Sequence, residues 1–246
     1  MNENRIAMEL EELCFSYASD AHQVMDHLNF KLVKGEKTGL IGHNGSGKTT
    51  FLHVVMGLLP VLSGTIRFFG NPVSTEKDFQ KLRQKAGLLF QNADDQLFSP
   101  TVLEDVAFGP LNMGKTPAQA CDMSRKTLSE LNLDGFENRI THKLSGGEKK
   151  LVSLATVLVM EPEVLLMDEP TTGLDESTRK RIIAILNNLD ISCIIVSHEY
   201  DFLVNTTQKV YSMEGGRLIC NGGSGSPHNH YHSHPLGKYP HHHKAD

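Results

Sequence analysis

The chain has 246 residues, 39% of them hydrophobic, enough for one large or two modest cores, so general disorder is excluded. A formal net charge of -5 argues against a nonspecific nucleic-acid binder, which must neutralise many phosphates. The four cysteines (Cys14, Cys121, Cys193, Cys220) lie far apart without a C-x-x-C pair, which indicates neither a disulfide framework nor a zinc knuckle and fits a reducing setting.

In chain order, the opening MNENRIAMELEELCFSY carries acidic residues where a secretory signal needs a basic flank and an apolar core, so export is not expected. No apolar run approaches the roughly 20 residues of a membrane-spanning helix. Segments near 8–16, 27–34 and 64–69 alternate apolar and polar residues or abut glycine turns, which predicts strands of an antiparallel layer. Tyr17, between the first two, reads on its own as an ordinary strand aromatic.

KTGLI, ending at Ile41, reads as a buried strand and KTTFLHVVMGLL, from Lys48 to Leu59, as a helix. Between them lies Gly42-His43-Asn44-Gly45-Ser46-Gly47-Lys48-Thr49-Thr50, the phosphate-loop pattern in its strand–loop–helix context. Glycines permit the positive backbone angles that turn successive N–H groups inward and let the chain approach a phosphate closely. The helix N-terminus adds partial positive charge. Lys48 can reach the outer phosphates and the Thr49 hydroxyl can ligate magnesium, whereas His43 fills a variable loop position.

AGLLF reads as another buried strand, ending just before Gln91. A glutamine there can accept from water and donate to a phosphate oxygen, which suits a sensor better than a base. From about 97 to 143 the pattern turns helical and polar, with Pro117 in a first turn. After Ser145-Gly146-Gly147, the apolar residues Leu151, Leu154, Ala155 and Leu158 fall at i, i+3, i+4 and i+7, so a helix begins there with Glu148 in its first turn. This is a second anion-binding helix end. One chain cannot easily aim both ends at one γ-phosphate, but two copies facing each other can.

EVLLMDEP supplies an apolar parallel-strand run that stops at Asp168 and Glu169, where ligands collect in open α/β sheets. Alone, an acidic pair before proline is commonly a solvated turn. Placed after a phosphate loop, Asp168 can hold magnesium through water and Glu169 can orient or deprotonate an attacking water. CIIVS forms a fourth such strand and puts His198 at its C-terminal end. From NGGSGSP onward, composition shifts to Gly, Ser, Pro and His, so a flexible tail over 221–246 is expected to follow a domain of residues 1–220. Seven of the 13 histidines (His228, His230, His232, His234, His241, His242, His243) fall in the tail. Their imidazoles can gather around nickel, cobalt, copper or zinc, and the affinity order alone favours copper. A vector-derived tag is the alternative, but six consecutive histidines are absent and Tyr231, Tyr239 and three prolines interrupt the run.

GHNGSGKT, LSGGE, VLLMDEP, GLD and IIVSH occur in the order and approximate spacing of the ATP-binding-cassette ATPases, which the chain resembles over roughly residues 8 to 217. The resemblance implies an α/β P-loop NTPase core with a parallel sheet, an antiparallel β layer and an inserted α-helical subdomain at about 97–143. It implies ATP and Mg2+ as ligands and a head-to-tail dimer, in which one chain's phosphate loop meets Ser145, Gly146 and Gly147 of the other. It makes Gln91 the sensor of magnesium and water, Asp175 a link between the two sites, His198 a contact of the γ-phosphate, and Tyr17 the aromatic stacked on adenine.

FQNADDQLFSPTVLEDVAFGP further resembles the energy-coupling-factor type, the ATPases of vitamin and transition-metal importers including the cobalt and nickel systems. That resemblance implies a peripheral subunit on the cytoplasmic side of the cell membrane. Its implied partners are a membrane coupling protein and substrate-specific membrane subunits, with no nucleic acid. The groove beside Gln91 would receive a coupling helix bearing an arginine, with Asp94 and Asp95 as its contacts; the bland alternative is a solvated acidic turn. Many such ATPases continue into a C-terminal helical extension, for which this chain has little room. The expected activity is ATP hydrolysis coupled to import of a transition metal, cobalt or nickel. A vitamin importer, or a soluble cassette of nucleic-acid repair or translation, is the alternative.

Overall fold

The computed structural model describes residues 6–17 and 23–223. The seven tail histidines lie outside the described residues.

Alternating apolar residues build the first sheet. β1 (Ile6–Phe15) pairs antiparallel with β2 (Met25–Val33), setting Leu10 opposite Phe30 and Leu13 opposite Leu28. After β3 (Lys37–Ile41) leaves for a second sheet, β4 (Ser63–Phe68) pairs with the other edge of β1, and the short β5 (Asn71–Val73) completes the order β2-β1-β4-β5. In the second sheet β6 (Ala86–Leu89), β7 (Val164–Asp168), β8 (Ser192–Val196) and β9 (Lys209–Glu214) run parallel to β3, and β10 (Arg217–Gly223) closes the edge antiparallel to β9. The order is β10-β9-β3-β8-β7-β6.

β7 and β8 are buried at every residue, as expected for strands covered on both faces. Their alternation divides the core: Val164, Leu166, Ile194 and Val196 face the antiparallel layer, while Leu165, Met167, Cys193 and Ile195 face the helices on the other side. α1 (Lys48–Val55) sits between the sheets, contributing Phe51, Leu52, Val54 and Val55. Opposite lie α3 (Val102–Asn112), α4 (Pro117–Glu130), α5 (Gly146–Leu158) and α6 (Glu176–Asn188). α2 (Glu76–Arg83) precedes β6, and α7 (Tyr200–Thr206) follows β8.

Four of these helices start with a reciprocal capping box: Thr75/Asp78, Thr101/Glu104, Thr116/Gln119 and Ser145/Glu148. Pro117 occupies the first turn of α4, and α3 and α4 lie within 97–143. α1 is shorter than its apolar run, stopping at Val55 rather than Leu59. Gly57 takes φ 67°, and bonds from Leu58 N–H to His53 O (2.8 Å) and Gly57 N–H to Val54 O (3.0 Å) close the helix as a Schellman motif. The edge strands β9 and β10 were not expected, and β10 carries regular structure through Gly223, past the expected start of the tail. No helix among the described residues is long and apolar enough to cross a membrane.

Candidate functional site

β3, β8 and β7 are neighbours, and their register aligns Leu40 with Val196 and Asp168 with Val196. The loop after β3, the carboxylates at the end of β7 and the histidine after β8 therefore leave the sheet at one edge, the position where open α/β sheets bind ligands.

The loop from Gly42 to Gly47 depends on its glycines. Gly45 and Gly47 take φ of 80° and 102°. A Cβ at Gly47 would meet Val24 Cγ1 at 2.5 Å, and one at Gly42 would meet Ser46 Oγ at 2.7 Å. Lys48 Nζ donates to the carbonyls of Gly42 (2.8 Å) and His43 (3.0 Å), so the ammonium is held across the loop opening. Burial lowers its pKa, while the nearby Glu169 and Asp168 carboxylates favour the charged form. The Thr49 hydroxyl donates to Asp168 Oδ2 at 2.7 Å, joining the loop to the acidic strand end.

Asp168 is buried, which raises its pKa, while the Thr49 bond opposes the shift. Its Oδ1 and Ser46 Oγ are buried atoms with no hydrogen-bond partner. Two orphaned oxygens beside an inward-turned glycine loop and a lysine suit a magnesium–nucleotide ligand, because such atoms are costly to bury unless something binds them. Glu169 follows with φ 46°, a left-handed conformation that costs a non-glycine residue roughly 1–2 kcal/mol. Its Oε2 accepts from Thr172 Oγ1 (2.9 Å) and lies 2.8 Å from His198 Nδ1. The His198 side chain is 56% exposed while that of Glu169 is 10% exposed, so the imidazole stands between the carboxylate and solvent.

Tyr17 lies beside this edge. Its hydroxyl is 2.9 Å from Thr50 Oγ1, its ring packs edge-to-face on Phe15, and it remains 40% exposed. Gln91 is exposed after the end of β6. Ser145, Gly146 and Gly147 are placed elsewhere: Ser145 caps α5 against Glu148, nothing lies within 4 Å of a Cβ built on Gly146, and one on Gly147 would meet Thr178 of α6. The phosphate loop has other neighbours, Val24, Met213 and Asp168. Asp175 caps α6: its carboxylate accepts from the hydroxyls of Ser177 and Thr178 and from their N–H groups (2.9 and 3.0 Å), and these bonds, the hydroxyl ones foremost, hold its carboxyl well below the usual range. Asp94, in the exposed acidic turn, has its Oδ1 paired with Lys149 Nζ at 2.6 Å. Among the described residues no group of three or more His, Cys, Asp and Glu side chains could hold a metal ion.

Two features escaped the sequence reading. Lys150 of α5 is 4% exposed and donates to the carbonyls of Phe90 (3.0 Å) and Gln91 (2.7 Å). Glu199, next to His198, accepts from Thr171 Oγ1 at 3.2 Å and pairs with Arg179 of α6 at 3.1 Å, linking the histidine loop to the helix that Asp175 caps. Neither could be found from spacing, because each joins segments that only the sheet order brings together.

A glycine loop turned onto a helix, facing a carboxylate-ended strand one position away from a histidine-ended one, defines a P-loop nucleoside triphosphatase. The ABC transporter family matches residues 25–172. A Nitratidesulfovibrio vulgaris protein described as an ABC transporter ATP-binding protein is 48% identical over 238 residues, covering 97% of this chain and 86% of the relative. The energy-coupling factor transporter ATP-binding protein EcfA of Methanothermobacter thermautotrophicus is 43% identical over 220 residues, covering 87% of this chain and 70% of the relative. The solved structure of CbiO1 from Clostridium perfringens, part of the ABC transporter complex CbiONQ, superposes with a TM-score of 0.80 at 35% identity, covering 89% of each chain. The chain belongs to the ABC transporter family, as an ATP-hydrolysing subunit resembling the energy-coupling-factor type.

Proposed function

We propose that this chain is the ATPase of an energy-coupling-factor importer that takes up a transition-metal ion, cobalt or nickel. The observation that carries the catalytic part is the convergence of Lys48, Thr49, Asp168, Glu169 and His198 at one sheet edge. On this reading Lys48 exchanges the carbonyls of Gly42 and His43 for the outer phosphates, and the loop N–H groups cradle the phosphate chain. Thr49 and the free oxygen of Asp168 hold magnesium, with Gln91 as a further ligand and sensor. Magnesium, when bound, neutralises charge on the phosphates. Glu169, fixed by Thr172 and His198, orients water for in-line attack and takes its proton, while His198 faces the γ-phosphate. Tyr17 stacks on adenine.

A second copy supplies Ser145, Gly146 and Gly147, which within one chain sit away from the phosphate loop, and Asp175 lies at the junction of the two sites. ATP binding closes the pair and hydrolysis reopens it. A groove of about 530 Å3, lined by Phe90, Asp95, Phe98, Phe108, Met113 and Met160 among others, accepts a helix of a membrane coupling protein, with Asp95 available to an arginine. The chain then works at the cytoplasmic face of the membrane, alongside substrate-specific membrane subunits. EcfA and CbiO1 support the transporter class. The metal rests on the histidines of residues 224–246 and on the subgroup resemblance.

Truncation after Gly223 is expected to leave ATP hydrolysis within twofold of the full chain and to weaken nickel or cobalt binding at least tenfold, read by calorimetry. Equal metal affinity in both forms removes the tail as support for a metal cargo.

A further inference from the structure

The segment from Phe90 to Gln96 is laced to α5, the helix that begins at Gly146. Lys149 Nζ pairs with Asp94, and Gln96 Nε2 donates to Ser153 O and Thr156 Oγ1, both at 2.8 Å. Gln96 Oε1 also accepts the Phe90 N–H at 3.1 Å. Between these ties lies Lys150, a buried ammonium that donates to two backbone carbonyls rather than to a carboxylate.

That position is costly. Removing an ammonium from water without an ion-pair partner disfavours its charged form, and burial lowers the Lys150 pKa to about 8. Opposing the shift, the Asp168 and Glu169 carboxylates attract the charge. A leucine or methionine would pack at a helix face of this kind with no desolvation penalty, so hydrophobic packing alone does not account for a lysine. Its placement instead gives the Gln91 peptide a fixed donor directly beneath it and sets a positive charge behind the two carboxylates that face the nucleotide.

We infer that Lys150 is a positioning residue for ATP hydrolysis, holding the backbone of Gln91 through the carbonyls of Phe90 and Gln91 so that the glutamine side chain is presented to magnesium and the attacking water. The geometry makes a second demand. Because Lys150 is four residues into α5 from the Gly146 end, it ties the placement of Gln91 to that of Ser145–Gly147, the loop offered to the second copy. The inference rests on the role of Gln91 given above, and the test separates the two.

The experiment is a double-mutant cycle on the full chain with Gln91→Ala, Lys150→Met and the pair, measuring steady-state kcat, KM for ATP at saturating magnesium, and the magnesium concentration for half-maximal activity. Lys150→Met is expected to lower kcat at least tenfold and raise the magnesium requirement at least threefold, with KM for ATP changed less than threefold. In the pair, the losses are not to multiply: kcat should stay within threefold of Gln91→Ala alone. Multiplying losses, or a Lys150→Met chain with kcat and magnesium requirement within twofold of the parent, overturn the inference. So does a lower kcat with an unchanged magnesium requirement, which signals a purely structural contribution. If Gln91→Ala itself leaves both parameters unchanged, it is the sensor role of Gln91 that fails, and this inference fails with it. Should Lys150→Met not accumulate as folded protein, Lys150→Gln, polar and one atom shorter than lysine, carries the same comparison.

Discussion

Replacing Lys48 with alanine is expected to abolish tight ATP binding. The ammonium sits over the loop opening on two carbonyls, and a bound nucleotide gives it phosphate oxygens in their place. Each charge-assisted hydrogen bond of this kind contributes about 1.5–3 kcal/mol, so losing two lowers affinity by roughly 100-fold or more. Part of the loss is local. Without Lys48 the carbonyls of Gly42 and His43 lose their shared donor, and the loop keeps only its other ties, such as the bond from Ser46 N–H to His43 O at 3.1 Å. Filter binding at micromolar ATP checks this; retained affinity counts against the phosphate-loop assignment.

Glu169→Gln is expected to separate binding from turnover. An amide has the carboxylate's shape and can still bond to Thr172 and His198, so the left-handed backbone and the local hydrogen bonds survive. It cannot take a proton from water. The loss is therefore about 10²–10⁴-fold in kcat, the usual worth of a general base, with ATP affinity retained. ATP then persists between two chains, and a dimer that depends on ATP and magnesium should accumulate on size exclusion. Undiminished turnover in this variant removes Glu169 from its role.

Much of the site was legible because its parts are local in sequence. Gly42 to Thr49 is one continuous stretch of sequence, and Asp168 with Glu169 ends an unbroken apolar run, so the residue types alone state the chemistry and the strand ends state the place. Sheet order then had only to set β3, β8 and β7 side by side. What escaped was non-local. The bonds from Lys150 to Phe90 and Gln91, and the pairing of Lys149 with Asp94, span 55 to 60 residues, and no periodicity in either segment points to the other.

The hairpin of β9 and β10 is a different kind of miss. Its turn is Gly215-Gly216, with φ of 54° and 77°, and a two-residue glycine turn between alternating segments is a strong hairpin signal. The helix end at Gly57 carried a similar signal, since a glycine in an apolar run marks a left-handed C-terminus as readily as an interior position. Both features were within reach of turn chemistry. The capping boxes show the converse: Thr116 before Pro117, with Gln119 three residues on, sets the α4 boundary where sequence placed it.

Whether this ATPase energises a membrane importer is decided by mass spectrometry of the proteins that co-purify with the Glu169→Gln chain from gently solubilised native membranes held in ATP and magnesium. A coupling protein together with small membrane subunits bearing a metal site is expected. Recovery of vitamin-binding membrane subunits would preserve the mechanism and contradict the metal cargo, and recovery of only soluble nucleic-acid proteins would contradict the transporter itself.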